Sequence, residues 1–223
     1  MIPPHIFVTG TDTEVGKTRI STALMAVLQK QGLRTAGMKP IASGCEWMDG
    51  QWQNEDARAM IAQSNVPLPY TTVNPFAFEP AIAPHIAAEQ VNVAISLPEI
   101  KQHFETIAEQ ADAVVVEGAG GWLVPINGQQ TMADLAVALN LPVVLVVAIK
   151  LGCINHALLS VAAIQQRGLT LVGWVANHLN QQNESAEIIS TLKQHIDAPC
   201  LGVVPQLLPE QSAAEFLCLE TDK

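Results

Sequence analysis

Residues 7–18 read FVTGTDTEVGKT, and this stretch decides the fold. An apolar run leads into a glycine-bounded loop, which ends in Gly16-Lys17-Thr18 where a helical pattern begins. Strand, turn and helix in that order are the context in which G-K-[ST] is a phosphate loop rather than a chance tripeptide. Amides at a helix start point outward, and the helix dipole favours anions there. In such a loop Lys17 reaches the terminal phosphates and the Thr18 hydroxyl ligates Mg²⁺. Glu14, Val15 and Arg19 border the same loop and join Gly16, Lys17 and Thr18 as nucleotide-binding candidates. Two features depart from the common pattern. Gly10 stands one residue too early for G-x-x-x-x-G-K-[ST], and Asp12 and Glu14 bring negative charge to a loop that wraps a polyanion.

Outward from the loop, apolar runs alternate with helical patterns. Strands are expected at 6–8, 35–39, 113–116, 143–147, 169–176 and 200–203, the second halted by Pro40. Helices are expected at 17–31, with Ile20, Leu24, Val27 and Leu28 on one face and Gly32 as stop, and near 97–110, 155–167 and 184–195. Continuous rather than alternating apolar strands belong to a sheet buried on both faces. Strands alternating with helices give a doubly wound, mostly parallel α/β sheet flanked by helices, of the P-loop NTPase type. Ligands in that architecture gather outside the carboxyl ends of the strands. Residues 64–84 are proline-rich with few helical signals and read as an ordered excursion. No repeat or low-complexity linker interrupts the 223 residues, so one domain spanning 1–223 is expected.

Composition removes several classes of function. Apolar residues make up 49% and charged residues 14%, which fits a large core rather than a disordered chain. The net charge of −10, with no cluster of Lys and Arg, argues against nucleic-acid and membrane-surface binding. The longest apolar run, 141–149, contains Pro142 and is too short for a bilayer, and no targeting or lipidation signal is visible. A cytoplasmic location is the expectation. Cys45, Cys153, Cys200 and Cys218 form no C-x-x-C pair, which favours reduced, mostly buried thiols.

The other strand ends then become candidate site positions. AVVVEGAGG, 113–121, delivers Glu117 into Gly118, Ala119, Gly120 and Gly121. An acid there handles Mg²⁺ beside a phosphate loop, and glycines let backbone approach a ligand. Asp56, in WQNEDA, is either a second metal carboxylate or an ordinary first-turn helix acid. Lys39 ends the second strand in GMKPIASG, where it can neutralise charge on a transferring phosphoryl group, or else sits at the surface. Ser43 follows as a phosphate or substrate contact, or as a plain turn residue. After Lys150, the turn Gly152, Cys153, Ile154, Asn155 opens a helix whose free amides offer a second anion nest, or a simple connection. No histidine or acid is placed to activate Cys153 as a nucleophile. Asn177 ends a strand in GWVANHLN, where guanine-specific folds carry N-K-x-D. Here the residues are Asn177, His178, Leu179 and Asn180, so the base-reading aspartate is missing and adenine is favoured.

VTGTDTEVGKT, GMKPIASG, VVVEGAGGW, IKLGCINHALL and GWVAN, running in order from 8 to 177, together resemble the ATP-dependent dethiobiotin synthetase family. Similarity is weaker over 57–111 and beyond Asn177 is largely a Leu-Gly-x-x-Pro segment. Ala83 stands before Pro84 where the family often has serine. The resemblance implies a homodimeric ligase of biotin biosynthesis. Its substrates would be 7,8-diaminononanoate (7,8-diaminopelargonate), CO2 and ATP, and its products dethiobiotin, ADP and phosphate, by way of a carbamate and a carbamic–phosphoric anhydride. It also implies roles. Lys39 and Lys17 would be catalytic, and Thr18, Asp56 and Glu117 would hold Mg²⁺. Thr13 and Ser43 would position the diamine, and Gly152, Cys153, Ile154 and Asn155 would receive the carboxylate of the substrate bound by the neighbouring subunit. Asn177, His178 and Pro205, Gln206 and Leu207 would frame adenine.

Three rival classes are weighed against this. A partner-binding switch ATPase would carry an extra lysine near the loop start, which here reads Gly10-Thr11-Asp12-Thr13, and a basic amphipathic C-terminal helix instead of LETDK. An amide ligase of the cobyric-acid group would need a glutaminase domain. A small-molecule kinase would need no CO2.

Overall fold

The computed structural model describes residues 2–180, 185–208 and 211–219. The amino-terminal apolar run forms β1 (His5–Gly10), and the phosphate loop leads from it into α1 (Lys17–Lys30). β2 (Thr35–Met38) follows, then β3 (Ile41–Ser43), a hairpin of β4 (Glu46–Met48) and β5 (Gln51–Gln53), and α2 (Glu55–Gln63). The excursion expected over 64–84 contains a single turn of helix, α3 (Tyr70–Val73), and β6 (Phe76–Phe78), and runs into α4 (Pro84–Gln90). Next come α5 (Leu97–Ala108), β7 (Ala113–Gly121), α6 (Met132–Leu139), β8 (Val143–Ala148) and α7 (Cys153–Gln166). β9 (Leu171–Asn177), α8 (Ser185–His195), β10 (Cys200–Val204) and a 3-10 turn over Ala213–Phe216 complete the described chain. Glu184, expected to begin α8, and Glu220 to Lys223 of the tail lie outside the described residues.

The main sheet has the order β10-β9-β8-β1-β7-β2, and every pairing in it is parallel. Alternate residues of each strand serve opposite faces, as the strand period requires. Val114 and Val116 of β7 pack with Ile100, Ile107, Leu135 and Leu139 under α5 and α6. Ala113 and Val115 pack with Ile20, Leu24 and Leu28 under α1. Leu145, Val147 and Trp174 carry α7 and α8. All these strand residues are fully buried, which is why the runs are continuously apolar.

The chain leaves β1 toward the β2 edge, returns to β7, and only then crosses to β8 on the other side of β1. That reversal opens a crevice at the carboxyl ends of β1 and its neighbours, where a ligand belongs. One expectation needs adjusting. β7 does not stop at Val116 but continues through the glycines to Gly121, which pairs with Gly10, so Glu117 sits inside a strand and is wholly buried.

Candidate active site

The phosphate loop is shaped by its own backbone. Thr11 N–H donates to the Val146 carbonyl of β8 at 3.1 Å, tying the loop to the sheet. Glu14 and Gly16 both adopt left-handed φ, 56° and 87°. At Gly16 a side chain would collide with the Asn177 amide, so glycine is required there on two counts. Asn177, at the end of β9, donates from Nδ2 to the Val15 carbonyl at 2.8 Å and so links the far strand to the loop. The two acids of the opening motif part ways. Asp12 is a strut: its Oδ1 accepts Thr13 N–H at 2.8 Å, its Oδ2 lies 3.7 Å from Lys150 Nζ, and its carbonyl accepts from Lys17 Nζ at 3.2 Å. Glu14 faces the cleft.

At the centre of the site stands Lys39. β2 ends at Met38, and Lys39 with Pro40 turns the chain toward β3, burying the lysine side chain. Its ammonium donates to Glu117 Oε1 at 2.6 Å and to the Gly118 carbonyl at 3.2 Å, and pairs with Asp56 Oδ2 at 3.1 Å. Thr18 Oγ1, in the first turn of α1, donates to the same Glu117 Oε1 at 3.0 Å. Glu117 Oε2 is buried with no hydrogen-bond partner among the described residues.

Charge follows from this packing. Burial works against the Lys39 ammonium, yet Glu117 and Asp56 outweigh it and raise its pKa. Burial likewise opposes the Asp56 carboxylate, but Lys39 and Thr18 hold it below its ordinary range. Lys17 is different: burial and the nearby Lys39 charge push it down to about 8, against the pull of Glu117, Asp56 and Asp12.

These groups open into a cleft of about 930 Å³. Of the residues picked from the sequence, Thr13, Glu14, Gly16, Lys17, Thr18, Arg19, Lys39, Ser43, Asp56, Glu117, Ala119, Gly120, Asn177, His178, Gln206 and Leu207 line it. Val15 and Gly118 stand behind the lining and take part through their carbonyls. Pro205 is adjacent to the lining without joining it. Arg19 Nη1 donates to the Leu207 carbonyl at 3.1 Å and holds that segment over the loop. Gly152, Cys153, Ile154 and Asn155 do not line this chain's cleft. The Cys153 side chain is buried in the core, while Gly152 and Asn155 are exposed.

Several lining residues escaped the sequence reading, namely Ala42, Asn54, Ala81, Ile82, Ala83, Pro84, Val124 and Leu179. Asn54 had a readable signal: an asparagine before a helix is a cap, and its Oδ1 accepts from Asp56 N–H and Ala57 N–H at 3.0 and 3.3 Å. Residues 81–84 had none in periodicity or composition, only the family position at Ala83 and Pro84, because β6 brings them to the site through its pairing with β3.

A parallel sheet with a glycine-lysine-threonine loop at the carboxyl end of β1, and a buried acid delivered by β7 beside it, defines a P-loop nucleotide-binding protein. Solved structures agree at the level of fold. The MinD cell division protein of Aquifex aeolicus aligns over 91% of this chain and 82% of its own, with TM-score 0.56 and 14% identity. The septum site-determining protein MinD of Pyrococcus horikoshii OT3, complexed with Mg-ADP, aligns over 95% and 92%, with TM-score 0.58 and 12% identity. Identities this low carry the fold alone. The family profile described as an AAA domain matches residues 4–213. The ATP-dependent dethiobiotin synthetase of Cellvibrio japonicus is 52% identical over 202 residues, 90% of this chain and 89% of that protein. That of Pseudomonas aeruginosa strain UCBPP-PA14 is 50% identical over 213 residues, 95% and 93% of the two chains. The chain belongs to the ATP-dependent dethiobiotin synthetase family.

Proposed function

We propose that this chain, as one domain spanning 1–223 and acting in the cytoplasm as a homodimer, closes the ureido ring of dethiobiotin from 7,8-diaminononanoate, CO2 and ATP. One observation carries the assignment of its residues. Lys39, Asp56, Glu117 and Thr18, from four separate segments, meet in a chain of contacts of 3.1 Å or less beside the phosphate loop.

One amine of the diamine adds to CO2, losing a proton and forming a carbamate. A carbamate oxygen attacks the γ-phosphorus of ATP, the bond to the ADP oxygen breaks, and a carbamic–phosphoric anhydride results. The second amine attacks the carbonyl carbon and loses a proton, phosphate leaves, and the ring closes. Lys17 neutralises charge on the phosphates, and Lys39 sits where carbamate and γ-phosphate would meet. Thr13 and Ser43 orient the diamine, a contribution that can reach roughly 7–11 kcal/mol when reactants are fully preorganised. Asn177 has its Nδ2 committed to Val15, which leaves Oδ1 as the acceptor for the adenine amino group, with His178 and Pro205, Gln206 and Leu207 around the ring.

A hydroxyl and two carboxylates, one of them with an unpartnered buried oxygen among the described residues, make a donor set suited to Mg²⁺, which takes one or two carboxylates and completes its shell with phosphate and water. Thr18, Asp56 and Glu117 would hold it. When bound, it offsets charge on the β- and γ-phosphates.

With Mg-ATP, phosphate release should require both the diamine and bicarbonate, and dethiobiotin should appear in equal amount. ADP formation without CO2 and without free phosphate, accompanied by a phosphorylated diamine, would make the protein a kinase instead.

A further inference from the structure

Tyr70, the only tyrosine of the chain, lies in the excursion that the reaction scheme leaves unused. Its hydroxyl accepts from Asn54 N–H at 2.7 Å and donates to Asn74 Oδ1 at 2.7 Å. Asn74, itself buried, donates from Nδ2 to the Lys39 carbonyl at 2.6 Å and to the Phe76 carbonyl at 3.4 Å. Lys39 N–H donates to the Val73 carbonyl at 3.0 Å, so both backbone polar groups of Lys39 are held by the α3 segment. On the other side, Asn54 caps the helix that bears Asp56 and donates from Nδ2 to the Ser43 carbonyl at 3.2 Å. Neither Tyr70 nor Asn74 lines the cleft.

The connections form a closed circuit. Inside it, the Lys39 and Asp56 side chains meet at 3.1 Å, and outside it, their backbones are joined through one phenol. We infer that Tyr70 is a positioning residue for the reaction, whose hydroxyl sets Lys39 against Asp56 and Ser43 through Asn74 and Asn54. The inference rests on the proposed role of Lys39. A purely packing role would need the ring but not the oxygen. Buried polar partners left unpaired shift to find new ones, and the shift here would be delivered to the Lys39 and Asp56 backbones.

Tyr70→Phe keeps the ring and removes one atom. It should lower kcat about 10- to 100-fold, the effect of a displacement on the order of 1 Å at a reacting group. KM for ATP should stay within about twofold, because the loop from Gly16 to Thr18 is not part of the circuit. In a Lys39→Gln background the same change should have no further effect on kcat, since residues acting through one another are not additive. Asn74→Ala, which cuts the bond to the Lys39 carbonyl but leaves Tyr70 against Asn54, should reproduce the loss and serves if Tyr70→Phe does not fold. Full kcat with a lowered Tm in both variants, or an equal loss with and without Lys39, would reduce Tyr70 to a stabilising residue and overturn the inference. Full turnover in Lys39→Gln alone would instead remove Lys39 from the reaction, and the positioning role with it.

Discussion

At Lys17 burial and a like charge act together on a group whose task is to meet a polyanion. Its pKa of about 8 means that the free site loses this positive charge as pH rises through that value. Nucleotide phosphates favour the protonated form, so binding above pH 8 must draw a proton from solvent. ATP affinity should therefore be flat below about pH 7.5 and fall above 8, approaching roughly tenfold per pH unit if no other group titrates. Calorimetry in two buffers of different ionisation enthalpy reads the proton uptake directly, and no uptake at pH 8.5 would contradict it. Lys39, whose pKa is raised, should not contribute to this profile. The residues at this scale were unevenly legible. Lys39 and Glu117 follow from where apolar runs end, because a parallel sheet presents those ends to the ligand. Tyr70 and Asn74 do not, since their bonds reach across 16 and 35 residues and no local pattern encodes them.

Among the elements, α6 went unread because its sequence, MADLAVAL, is apolar nearly all round. Met132, Ala133, Leu135, Ala136 and Leu139 are buried, but the outer face carries apolar Val137 and Ala138, so the sequence shows no amphipathic stripe. The hairpin of β4 and β5 could have been found. Asp49-Gly50 is a strong two-residue turn signal, and both adopt positive φ, 49° and 80°. What fixes α6 is Asp134, whose Oδ2 accepts from Thr131 N–H at 2.7 Å and from Thr131 Oγ1 at 2.8 Å, while Oδ1 pairs with Arg167 at the end of α7 at 2.7 Å. Burial opposes its charge, but these Thr131 and Arg167 contacts win and depress its pKa. A depressed carboxylate stabilises the fold above its unfolded pKa, and the contribution disappears as pH falls through the folded value. Asp134→Asn should cost about 1 kcal/mol at pH 7. The difference from the parent should shrink below pH 4 in urea unfolding. A cost that persists unchanged to pH 3 would assign it to shape rather than charge.

For the molecule as a whole, sequence conveys the sheet more fully than the assembly. Six parallel strands follow from buried apolar runs, whereas the surface that would join two copies leaves only isolated marks. Leu151 is 95% exposed immediately before α7, and Leu159, one turn beyond Asn155 on the same helix face, is 62% exposed. They flank Gly152 and Asn155, the predicted carboxylate nest, which are exposed and do not line this chain's own cleft. An apolar rim around a polar nest is unneeded by an isolated chain and useful to one whose neighbour's substrate ends there. The proposed homodimer thus makes the reaction depend on association. Leu151→Glu should shift sedimentation from dimer to monomer, raise KM for the diamine at least about tenfold, and leave ATP affinity within about twofold. Trimming the substrate to a short diamine without its carboxylate should erase the difference between parent and variant, because neither then uses the nest. A monomeric variant with the parent's KM for the full diamine would show that each chain completes its own site.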